Sequence, residues 1–136
     1  MERWRYYIRG RLLEAFGRRD AAIAAYRGAL QVDPAFSRAT NRVAYLLASL
    51  ERYEDAEVHF RRVLDSESGN AVAHFNLGYA LEKLGKLEPA VASFREATRL
   101  NPKIDRAWYG MGLCYAHLGR HEEAAAERIE FFLFRF

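Results

Sequence analysis

The chain has 136 residues, 51% of them hydrophobic, and a formal net charge of only +3. That length suits one ordinary domain, and so small a charge implies no nucleic-acid partner without a concentrated basic patch. The single Cys114 excludes an internal disulfide and favours a reducing compartment, and no apolar run is long enough to span a bilayer.

The start, Met1-Glu2-Arg3-Trp4-Arg5, leads into charge rather than a signal-peptide core, so a cytoplasmic protein is expected. The basic residues are mostly arginine, a bias that, with the alanines, suits a GC-rich bacterial genome. Four units with a 34-residue period follow, starting near Arg3, Ser37, Ala71 and Asp105 (about 3–36, 37–70, 71–104 and 105–136). The first carries Tyr6, Gly10, Leu13, Phe16-Gly17, Ala22, Tyr26, Ala29 and Pro34. The second carries Thr40, Val43, Ala44, Leu47, Leu50, Ala56 and Phe60. The third repeats the pattern with His74, Leu77, Gly78, Leu81, Leu84-Gly85, Ala90, Phe94, Ala97, Leu100 and Pro102. The fourth has Trp108, Met111, Gly112, Tyr115, Leu118-Gly119 and Ala124.

Each unit reads as two helices, because apolar residues recur at three- and four-residue spacing. Gly10, Ala44, Gly78 and Gly112, with Ala22, Ala56, Ala90 and Ala124, are the small residues that let paired helices approach closely. Gly17, Gly85 and Gly119 stand where a left-handed cap ends the first helix. Glu51 takes that place in the second unit, which predicts a less regular turn. The acids Asp20, Glu54, Glu88 and Glu122 open the second helices, where negative charge meets the positive end of the dipole. Residues 65–70 form a turn-rich link without proline, the expected joint of the array. In the fourth unit Arg128 stands where an aromatic is expected, and Phe131, Phe132, Leu133, Phe134 and Phe136 follow.

The spacing Trp108-x-x-Met111-Gly112-x-x-Tyr115 and the later Ala90-x-x-x-Phe94 closely resemble the tetratricopeptide repeat family, over nearly the whole chain. The resemblance implies an all-α, right-handed superhelical solenoid of antiparallel helix pairs, forming a single domain. It also implies a non-catalytic scaffold or adaptor whose concave groove binds a partner peptide. The groove positions fall on the first helix of each unit: Tyr7 and Arg11; Arg38, Asn41, Arg42 and Tyr45; Phe75, Asn76 and Tyr79; Arg106 and Tyr109. Their aromatic and basic character suits an acidic or aromatic-containing peptide. Asn76 and Arg106 match part of the family's clamp for a terminal carboxylate. Asn41, Tyr45 and Gly110 depart from it, so that mode is not expected.

No site for catalysis, cofactor or metal is expected. His117 and His121 are four apart, but Gly119 lies between them at the helix end. Cys114 sits beside core positions and reads as a structural thiol. Two other functions stay open: a regulatory or truncated segment of a larger enzyme such as a glycosyltransferase, for which the missing polar cap after the fourth unit speaks, and single-stranded RNA binding through stacked arginines and aromatics, against which the small net charge and the 34-residue period stand. The phenylalanines of the tail cannot all face inward. Phe131, Phe132, Phe134 and Phe136 are therefore expected to self-associate, giving a dimer or larger homo-oligomer.

Overall fold

Helix-forming residues fill each predicted segment; a left-handed residue follows the first helix of every unit, and turns containing Pro34 and Pro102 follow the second helices of the first and third. The computed structural model describes residues 1–135, without the side chains of 132, 134 and 135. Among the described residues there are eight helices and no strand: α1 (Glu2–Ala15), α2 (Arg19–Val32), α3 (Ser37–Ser49), α4 (Tyr53–Ser66), α5 (Ala71–Lys83), α6 (Leu87–Leu100), α7 (Asp105–His117) and α8 (His121–Arg135). The second helices begin 34 residues apart, in the register that the repeats set. The fold is all-α, made of antiparallel helix pairs of the solenoid class.

The helices group into two compact units, Met1–Ser66 and Glu67–Phe136, and their boundary lies inside the 65–70 link. In unit 1, α2 packs on both α1 and α3, and α3 on α4. Its core is built from Tyr26, Val43, Leu47, Phe60 and Val63, all essentially inaccessible. In unit 2, α6 packs on α5 and α7, and α7 on α8. Leu81, Phe94, Met111, Cys114 and Tyr115 fill the interior there. Burial of each large apolar side chain contributes roughly 1.5–3 kcal/mol, which is what holds the pairs together.

The turns inside the pairs share one geometry. Gly17, Gly85 and Gly119 have φ of 75–77°, and Glu51 adopts φ 62° in the same place. In the second pair Glu51 N–H reaches Ala48 O at 3.0 Å and Arg52 N–H reaches Leu47 O at 2.8 Å, the bonds that Gly17 and Arg18 make in the first. The expectation of an irregular turn at Glu51 is therefore corrected: the same two backbone hydrogen bonds close the turn with the glutamate in the left-handed region.

The close approach expected at the small residues is seen at Gly10 and Gly78. A Cβ on Gly10 would come within 2.6 Å of the Tyr26 ring, and one on Gly78 within 2.8 Å of Phe94. These glycines thus seat an aromatic of the following helix. Gly112, expected to do the same, has open space around it. The aromatic that would lie there is replaced by Arg128, which leaves a cavity of about 280 Å³ bordered by Gly112, Ala124 and Arg128.

Candidate functional site

In unit 1, α1, α3 and the buried Phe36 just before α3 carry a lattice of rings and guanidinium groups. Trp4 meets Phe36 at 5.0 Å and Tyr7 at 5.7 Å, both edge-on. Arg38 lies 5.7 Å from the Trp4 ring centre, and Arg3 lies 4.9 Å from that of Phe36 while ion-pairing with Asp33. Such cation–π contacts fix an otherwise mobile arginine over a flat surface.

Arg42 is held from three sides. Its Nε donates to Glu14 Oε1 at 3.0 Å, its Nη2 bonds Glu14 Oε2, and its guanidinium lies 4.9 Å from the Tyr45 ring. Tyr26 donates its hydroxyl to the same Glu14 oxygen at 2.6 Å. One carboxylate on α1 thereby ties together α2 and α3. Burial alone would raise the Glu14 pKa. The Arg42 and Tyr26 hydrogen bonds, with the charges of Arg42 and Arg11, outweigh it and hold the carboxyl below its ordinary value. Burial and the Glu14 hydrogen bond push the Tyr26 hydroxyl far above its ordinary value. Asn41 is half-buried, its Oδ1 enclosed and without a hydrogen-bond partner among the described residues, and Arg11 is exposed.

In unit 2 the corresponding faces belong to α5 and α7. Phe75 lies 5.9 Å from Phe94, and the Arg106 guanidinium 5.1 Å from the Phe75 ring centre. Lys83 Nζ lies 5.2 Å from the Tyr79 ring, while Tyr109 is 70% exposed. Phe75, Tyr79, Arg106 and Tyr109 share one cavity of about 190 Å³ with Glu82, Lys83, Phe94, Gly110 and Leu113. Asn76 is half-buried and outside that lining.

The Tetratricopeptide repeat family matches residues 7–71, 49–103 and 75–128. The chain belongs to the tetratricopeptide repeat family. It is 31% identical over 117 residues to the general transcriptional corepressor trfA of Dictyostelium discoideum, covering 85% of this chain and 8% of that protein. It is likewise 31% identical over 120 residues to the general transcriptional corepressor ssn6 of Schizosaccharomyces pombe, covering 85% of this chain and 11% of that one. Among solved structures, the MamA RS-1 ArsTM double mutant superimposes with a TM-score of 0.93 at 20% identity, over 98% of this chain and 75% of that one. At that identity the likeness shows the fold.

As a tetratricopeptide chain it departs most in its last helix. Trp108, Tyr109 and Phe131 line an apolar cavity of about 380 Å³ between α7 and α8, flanked by Asp105, Arg106, Glu127 and Arg128. Ile129 and Leu133, one turn apart on α8, are 61% and 69% exposed. Phe131 is half-buried, whereas the Phe132 and Phe134 side chains and Phe136 lie outside the described residues. Burial and the nearby Glu82 charge push the Cys114 thiol up to about 11, so it is held as the neutral thiol at pH 7. Among the described residues no group of three His, Cys, Asp or Glu could hold a metal ion, and no helix is long and apolar enough to cross a membrane.

The repeat register placed the aromatic and basic residues of the first helices. It included Trp4 and missed Glu14 and Glu82. The recurrence of glutamate at positions 14 and 82, two repeats apart, was the available signal for both.

Proposed function

We propose that the chain is a non-catalytic scaffold that binds a partner peptide, acidic or aromatic in character, along the first helices of its repeats. The observation that carries this reading is the pair of exposed arginines stacked on rings. Arg38 lies over Trp4 and Arg106 over Phe75, and among the described residues neither has an ion-pair partner. Each offers a charge already oriented for a carboxylate beside an aromatic surface, so little ordering cost falls on the scaffold. The test is a peptide array probed with the chain and with its Arg38→Glu and Arg106→Glu variants. Both substitutions should remove capture of acidic peptides with little change in melting temperature. Capture unaffected by both reversals would exclude this surface.

The match to about a tenth of each corepressor supports a second reading, that these repeats work as one module of a longer polypeptide. We place the protein in the cytoplasm, since one buried thiol suits a reducing compartment. We also propose self-association through α8, on the strength of exposed Ile129 and Leu133 beside the Phe131 cavity. Light scattering should give a dimer or larger for the chain and a monomer for an Ile129→Glu, Leu133→Glu variant. A native chain that stays monomeric at high concentration would contradict that.

A further inference from the structure

The two units carry one framework, displaced by two repeats. Tyr7 meets Tyr26 at 5.5 Å with the rings 53° apart, and Phe75 meets Phe94 at 5.9 Å and 47°. Glu14 corresponds to Glu82, Arg38 to Arg106, and Arg42 to Gly110. At one position the chemistry diverges. In unit 1 the Arg42 side chain reaches Glu14 and gives it both Nε and Nη2. In unit 2 position 110 has no side chain: the Phe94 ring packs where a Cβ would lie, at 2.7 Å, and Gly110 borders a cavity with Glu82, Phe75 and Phe94, so no residue of the chain reaches Glu82 from there.

Glu82 is half-buried, and among the described residues no hydrogen bond or ion pair reaches its carboxylate. A partly desolvated carboxylate gains from a charge-assisted donor, and a guanidinium fork supplies two at once. The exposed cations Lys83 and Arg106 border the same cavity, but each is stacked on a ring rather than bonded to Glu82. The lining therefore carries one negative group, the half-buried Glu82, and two positive ones, the exposed Lys83 and Arg106. An arginine with a carboxylate close by satisfies both.

We propose that the unit 2 cavity receives an arginine side chain of the partner peptide, which pairs with Glu82 as Arg42 pairs with Glu14, while a neighbouring carboxylate of the peptide meets Arg106 and Lys83. This rests on the peptide-binding reading and names the chemistry of one contact within it.

The test uses the full chain labelled with ¹⁵N, and N-acetyl-arginine with its free carboxylate as the probe. Saturable shifts of the Glu82 and Gly110 amide signals are expected. N-acetyl-citrulline, which has nearly the same shape but no charge, should bind at least tenfold more weakly. Glu82→Gln should abolish the arginine response while the rest of the spectrum stays in place, because the side chain has no partner to lose. Equal binding of citrulline, an unchanged response in Glu82→Gln, or no saturable shift at all would each overturn the proposal. None of these results touches the broader reading, which fails only if the Arg38 and Arg106 reversals leave peptide capture intact.

Discussion

Glu51 sits at φ 62°, where the other three turns of this kind place glycine. A side chain in the left-handed region costs roughly 1–2 kcal/mol, and glycine returns part of that gain through a freer unfolded chain. Glu51→Gly should therefore stabilise the protein by about 1 kcal/mol in urea unfolding; a loss would show that the glutamate makes a compensating contact. Glu14 is the opposite case, a residue whose partners define it. Its folded pKa is depressed, so the stability from its charge is present above the unfolded value of about 4.3 and is lost as pH falls through the folded pKa. Glu14→Gln should cost about 1–3 kcal/mol at pH 7, because Arg42 is left half-buried without its counter-charge. It should also flatten the acid loss of melting temperature between pH 7 and pH 3. Parallel acid profiles for the two proteins would contradict the assignment.

At the scale of helices, what matters is which glycine faces a ring. Gly78→Ala would press a methyl group into Phe94 and should cost about 1–3 kcal/mol. Gly112→Ala has open space and should gain up to about 1 kcal/mol from helix propensity alone. Denaturation of the two variants should move in opposite directions, whereas equal losses would mean that α8 covers Gly112. The helices themselves were legible in the sequence, since apolar spacing, first-turn acids and left-handed caps all recur in one register. The break at Arg128 was legible too. Its consequence was not, because periodicity marks a glycine as small without showing what it touches.

For the whole molecule, charge is unevenly spread along the chain. Residues 1–66 hold 12 arginines against 9 acids, and residues 67–136 hold 9 basic against 9 acidic residues. The net charge of +3 therefore belongs to unit 1, and capture of acidic peptides there should weaken more steeply with salt. The candidate faces were legible only as positions. Arg38, Arg42 and Arg106 read alike in sequence, yet Arg42 is bound to a glutamate 28 residues away while the other two are not. Such pairing across helices depends on packing that no local pattern encodes. The most direct measurement of recognition by the first helices is amide shift mapping with a captured acidic peptide. Binding should move the signals of Arg38, Phe75, Arg106 and Tyr109 and leave those of α2 and α6 nearly still; shifts concentrated on α2 and α6 would contradict it.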